Sequence, residues 1–198
     1  MKIQKIILIG FILCAQLLLG CGDCFEHIGP PIIIFGAGEH DGFAIGGRVG
    51  ADALCAAAKP AEVSQRRVRA FITVSASDQI RDMPRNYGVP TNVEVLSPNG
   101  TTLSSNWGDL LDGSIDVTLL AAGVRIDSFR QIFWSGSQDD GSLSPAPGAT
   151  CVGWSGVPGF FPGVAGQADL TTSWLGPTSE DCSGAGLGSD LICIAFEY

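Results

Sequence analysis

Apolar residues in this chain fall in short runs separated by Gly, Pro, Asp and Ser, the pattern of short strands joined by many turns. Ile32 to Phe35, four apolar residues between Pro31 and Gly36, predict a buried strand. After a Gly-rich turn, the Ala-rich stretch Gly50 to Lys59, stopped by Pro60, predicts a helix. Val68 to Val74 carries the β-branched and aromatic residues of a strand, and Asp78 to Asp82 suits a short helix before Pro84. Val93 to Leu96 and Thr101 to Leu103 flank Asn99-Gly100, two residues that tolerate positive φ, and so predict a hairpin. Trp107 to Leu111 adds a helical turn, Gln131 to Trp134 a strand, and Leu191 to Phe196 a closing apolar strand. Gly136 to Gly188 is mostly Gly, Ser, Pro, Asp and Thr, with few regular elements. So long a loop needs pins in a compact domain, and Cys151, Cys182, Trp154 and Trp174 are the residues that offer them.

The front of the chain follows a different pattern. Lys2 and Lys5 precede an apolar run from Ile6 to Leu19, too short for a comfortable membrane span of roughly 20 residues and typical of a signal peptide. Its end, Leu18-Leu19-Gly20-Cys21, resembles a bacterial lipobox, in which cleavage before the cysteine exposes a thiol that becomes a thioether to diacylglycerol. An ordinary secretory signal with Cys21 in a disulfide is the rival reading, and the lipobox is the one expected. The organisation expected is a signal peptide over 1–20, a lipid-anchored tether over 21–31 and one folded domain over 32–198. Each buried methylene of an acyl chain adds about 0.8 kcal/mol, so two or three chains hold a protein on a membrane. Eleven extended tether residues reach at most about 36 Å, which keeps the domain near that surface. Gly22, not Asp, follows Cys21, so the inner-membrane retention signal of enterobacterial lipoproteins is missing and the outer membrane or cell surface is expected.

Composition narrows the class. Hydrophobic residues make up 45% and charged residues 16%, with 27 Gly and 11 Pro, which excludes a disordered acidic chain, a coiled coil or a helical bundle. The formal charge is −9; loss of Lys2 and Lys5 leaves 9 basic against 20 acidic residues, or −11. No nucleic-acid partner is expected, because neutralising phosphates needs a basic face. Of the 7 cysteines, Cys14 goes with the signal and Cys21 to the lipid, leaving Cys24, Cys55, Cys151, Cys182 and Cys193. Export favours disulfides; Cys24, close to the anchor, is the expected odd one out, and the other four allow three connectivities. None of these five has the close spacing of a zinc knuckle, and the histidines are only His27 and His40, so no metal is expected.

Several ordered segments resemble the endostatin domain, the carboxy-terminal module of collagens XV and XVIII, and its bacterial endostatin-like relatives. They are Gly46-Gly-Arg-Val-Gly-Ala-Asp52-Ala-Leu-Cys55, Arg69-Ala-Phe-Ile72, the Trp107 segment, Phe133-Trp134-Ser-Gly136-Ser, Cys151-Val-Gly-Trp154, Gly166-Gln-Ala168, and Cys182 with Leu191-Ile-Cys193-Ile194. The resemblance spans nearly all of 32–198. It implies a C-type-lectin-like α+β domain with two nested disulfides, Cys55 to Cys193 and Cys151 to Cys182. Similar lipidated proteins of spirochaetes are surface adhesins for laminin, fibronectin, plasminogen or complement regulators. Two departures matter: the amino-terminal His-rich zinc site has no counterpart here, and the heparin-binding arginine surface is reduced to eight Arg and one Lys after cleavage.

Candidate chemistry is sparse. Arg66, Arg67 and Arg69, joined by Arg81 and Arg85, form the one basic cluster in the sequence. Guanidinium forks match sulfate and carboxylate, though a solvated face paired with nearby carboxylates is the plainer reading. Asp139-Asp140-Gly141 resembles half a calcium loop, but it lacks the spaced acids of an EF-hand and suits an ordinary Asp-Gly turn. Glu39-His40-Asp41 lacks a second histidine, and Gly36-Ala-Gly38 places its third glycine at 42, off the nucleotide-loop spacing. No Gly-x-Ser-x-Gly elbow occurs, so no catalytic residues and no cofactor are expected. The four tryptophans suit a core, whereas Phe160-Phe161, between Gly159 and Pro162, stand equally well in the core or at a loop tip as a binding anchor. The expected function is binding, with no enzymatic activity: a surface lipoprotein that recognises extracellular-matrix protein or other protein or glycan ligands by its loops. A structural envelope lipoprotein without a soluble ligand is the alternative.

Overall fold

The computed structural model describes residues 29–156, 162–182 and 188–197. Strands are β1 (Ile32–His40), β2 (Arg67–Ala70), β3 (Val95–Leu96), β4 (Thr102–Ser104), β5 (Ile132–Trp134), β6 (Pro162–Gln167), β7 (Thr178–Asp181) and β8 (Ser189–Phe196). The helices are α1 (Gly47–Ala58), α2 (Met83–Tyr87), entered through a 3-10 turn at Ile80–Asp82, and α3 (Trp107–Leu110). The architecture is mixed α+β around one eight-stranded sheet, ordered β4-β3-β1-β8-β5-β6-β7, with β2 beside β8 off this path.

The apolar segment predicted to close the chain is the sheet's central strand. β8 is buried at every position from Ser189 to Phe196, because both of its faces and both of its edges are covered. β1 lies antiparallel along one edge, with Phe35 opposite Cys193. The other edge is shared: β2 runs antiparallel to residues 193–196, and β5 runs parallel to 190–191. This sharing explains why β2 is shorter than predicted. Phe71 still donates its amide to Ile192, but the Thr73 amide donates to the Ser135 carbonyl at 2.8 Å, so the chain leaves β8 where β5 takes over.

Two apolar layers flank the sheet. On one face Ile32, Ile34, Ile192 and Ile194 pack with Phe71, Trp107 and Trp174; on the other Phe35, Ile72 and Leu191 pack with Trp134, Trp154 and the α1 residues Ala51 and Cys55. All four tryptophans are core residues, as expected from their spacing. Both disulfides lie in the second layer: Cys55–Cys193 ties α1 to the central strand, and Cys151–Cys182 joins two residues 31 apart in sequence. The nested pairing implied by the resemblance is the pairing formed.

Other expectations are corrected. α1 begins at Gly47, three residues before the predicted start. Pro84 does not end the helix before it; it lies in the first turn of α2, where the missing amide has no intrahelical partner in any case. The hairpin is present, β3 pairing antiparallel with β4 across Asn99-Gly100. The stretch expected to hold few regular elements contains β6 and β7, an antiparallel pair that completes one side of the sheet. Cys151–Trp154 make a single turn whose four residues all have positive φ, between 47° and 72°. Thr150 accepts the Gly153 amide with its hydroxyl, and the Trp154 carbonyl accepts the Gly46 amide, which fixes this left-handed turn against the start of α1.

Candidate functional site

The arginine cluster lies on a sheet edge. The Phe71 amide bonds to Ile192 on β8, so the polar backbone atoms of Arg67 and Arg69 also face β8 and those of Val68 and Ala70 face outward, by the alternation of an antiparallel ladder. Side chains bond the backbone at both ends of this strand. The Ala70 amide donates to Asp52 (2.9 Å), its carbonyl accepts from Arg48 (2.7 Å), and the Arg66 amide donates to Glu197 (2.9 Å). Between these closures, Val68 opens on a groove of about 510 Å³ lined by Lys59, Arg66, Arg67, Arg69, Ala56 and Phe196.

Each of the cations there is held by neighbouring groups. Arg66 meets Glu197 at 3.3 Å with its side chain 87% exposed, and Arg69 meets Asp52 at 3.1 Å. Lys59 donates to the Val63 and Gln65 carbonyls, and Arg67 to the Tyr87 carbonyl. Arg81 and Arg85 do not line this groove: Arg81 pairs with Asp140 at 3.7 Å and Arg85 with Asp82 at 3.4 Å. The three arginines of the expected cluster share this groove with Lys59, while Arg81 and Arg85 stand apart from it.

Sequence reading missed the network that supports this edge. Arg48 forms a fork with Asp78 (2.9 Å twice), bonds the carbonyls of Ala70 and Ile72, and lies 3.7 Å from Asp52. The Arg48 and Arg69 guanidinium carbons both stand close to the Tyr87 ring, 5.2 and 5.1 Å from its centroid. Burial, opposed by the Arg48 charge, raises the Tyr87 phenol above its ordinary value. The Arg48–Asp52 pair at i,i+4 was visible in the sequence; Asp78, 30 residues on, carried no signal.

The loop-built side presents different features. The left-handed turn leaves Val152 58% exposed, beside a shallow depression of about 380 Å³ lined by Leu143, Pro147 and Thr150. Phe160 and Phe161 lie outside the described residues, as do Cys21, Cys24 and His27. Among the described residues, an aromatic that the sequence reading passed over is held out: Phe129 is 89% exposed. Its loop is fixed from below, because the fully buried Asp190 accepts the amides of Asp127 and Ser128 (3.0 and 2.7 Å). Burial pushes the Asp190 carboxyl up, against the pull of those amides.

The acidic candidates form turns. Gln138 accepts the Gly141 amide across Asp139-Asp140, an ordinary tight turn, and Ser142 together with Arg81 holds the Asp140 carboxyl below its usual range. His40 is the last residue of β1 and its ring contacts the Ala37 carbonyl, while Gly36 and Gly38 lie in the same strand, around a register shift. Among the described residues no three His, Cys, Asp or Glu side chains converge as metal ligands, and no helix is long and apolar enough to cross a membrane. No family model and no curated protein matches the chain.

Proposed function

We propose that the chain is a lipid-anchored surface domain of a bacterial outer membrane, with an endostatin-like, C-type-lectin-like fold, that binds an extracellular-matrix protein or another protein or glycan. What carries this reading is the cysteine pattern. Both bridges implied by the resemblance join the expected partners, one nested inside the other, and together they tie irregular loops to a sheet buried on both faces. Such an arrangement presents a fixed surface that suits binding, and the exposed Phe129 and Val152 give it apolar contact points. Cys21 carries the lipid, and the tether over 21–31 holds the domain to the membrane.

Biolayer interferometry of the mature, unlipidated chain against laminin, fibronectin, plasminogen and heparin tests the proposal, with a reduced and alkylated sample beside it. Saturable binding that disappears on reduction supports a folded adhesin. Equal binding by both samples, or none to any ligand, moves the reading to a structural envelope lipoprotein.

A further inference from the structure

We infer that the outer edge of β2 is a docking site for an extended acidic peptide, which adds to the sheet as a further strand beside Val68 and sets its carboxylates against Lys59 and the exposed side chain of Arg66. Open strand edges invite pairing with other chains, and folded proteins usually close them. Here the closure is partial. Asp52 and Arg48 occupy the outward amide and carbonyl of Ala70, and Glu197 occupies the amide of Arg66, just before β2. At Val68, midway between them, no side chain among the described residues fills the same role, and the groove of about 510 Å³ lies there.

Charge selects the occupant. The chain is formally −9, yet four of the residues lining this groove are cationic. Glu197 shows how a carboxylate fits the edge, because one of its oxygens accepts both the backbone amide and the Nε of Arg66. An incoming strand with carboxylates at alternate positions repeats that contact one step along, while its own amide and carbonyl meet the carbonyl and amide of Val68. Alternate side chains of such a strand would point to opposite sides of the edge, where Lys59 and Ala56 of the α1 end stand on one side and Arg67 and Arg69 on the other. Backbone pairing supplies the geometry and the cations supply selectivity for acidic sequences. This site is separate from the loop surface proposed above, so either can fail alone.

The test uses the full-length chain in detergent and a fluorescein-labelled probe, acetyl-Glu-Val-Glu-Val-Glu-Val-amide, read by fluorescence anisotropy. Saturable binding is expected, weakened at least tenfold when every probe amide is N-methylated and absent when Lys replaces Glu. Val68→Pro removes the outward amide without touching the bond to β8 and is expected to weaken binding at least tenfold; the N-methylated probe makes the same test on the unaltered protein. Arg66→Glu is expected to weaken it as well. Unchanged affinity for the N-methylated probe would reduce the interaction to charge attraction alone and overturn strand addition. Absence of binding would overturn the site altogether, as would sedimentation showing that a second copy of the chain already occupies the edge.

Discussion

Val152 has φ 60° and ψ 47°, a conformation costly for any residue with a Cβ and more so for a β-branched one. Its side chain is 58% exposed, so little burial offsets that strain. Asn visits the left-handed region readily, and Val152→Asn is expected to stabilise the fold by about 1 kcal/mol, measured as a higher denaturant midpoint under non-reducing conditions. Asp190 poses the opposite case, a buried carboxylate whose two amide contacts hold the Phe129 loop. Because burial raises its pKa in the folded chain, its contribution to stability is fully present below the unfolded value and is lost as pH rises through the folded one. Asp190→Asn removes this titration and turns an amide group toward the Asp127 and Ser128 donors. The expected loss is about 1–3 kcal/mol, larger at pH 4 than at pH 7; a gap that widens toward neutral pH would contradict the assigned sign.

At the scale of elements, β6 explains both what the sequence conveys and what it conceals. β8 was legible because Leu191 to Phe196 is a continuous apolar run, as a strand buried on both faces must be. β6, Pro-Gly-Val-Ala-Gly-Gln, reads as a loop because its glycines answer to neighbours distant in sequence. A Cβ on Gly163 would lie 2.5 Å from the Cys151 sulfur, and one on Gly166 would lie 2.2 Å from the Phe133 ring and 2.7 Å from the Trp174 carbonyl. The glycine content that pointed to turns here marks close backbone approach to the bridge and the aromatic core. β7, Thr-Ser-Glu-Asp, is an edge strand with polar residues and so shows no apolar alternation. The candidate site was legible to the same extent: Arg66, Arg67 and Arg69 announced a basic patch, but Lys59 and the Arg48–Asp78 fork depend on how α1 docks against β2. Gly166→Ala is expected to destabilise by about 1–3 kcal/mol through overpacking, with a lowered denaturant midpoint and a perturbed near-ultraviolet circular dichroism signal from Trp174.

At the scale of the whole molecule, the two bridges do different work because they close loops of different reach. Cys55–Cys193 spans 138 residues and joins α1 to the central strand, so its removal frees nearly the entire fold in the unfolded state. Chain-entropy arithmetic gives about 5 kcal/mol for that loop and about 3.7 kcal/mol for the 31-residue loop of Cys151–Cys182. The smaller bridge lies in the layer that also holds Trp134 and Trp154, and it joins the left-handed turn to the residue that follows β7. Its loss removes the tie on the loop side while β1, β2 and β8 keep their pairing and the Cys55 bond. The paired substitutions Cys55→Ala with Cys193→Ala are therefore expected to lower the midpoint of the whole unfolding transition by the larger amount. Cys151→Ala with Cys182→Ala should instead separate two behaviours: local proteolysis within 136–182 and loss of the proposed matrix-ligand binding, with the acidic probe still bound at the β2 edge. Limited proteolysis followed by mass spectrometry, run beside both binding assays, checks this. Equal loss of both activities in the second variant would mean that the loop surface and the sheet edge unfold as one unit.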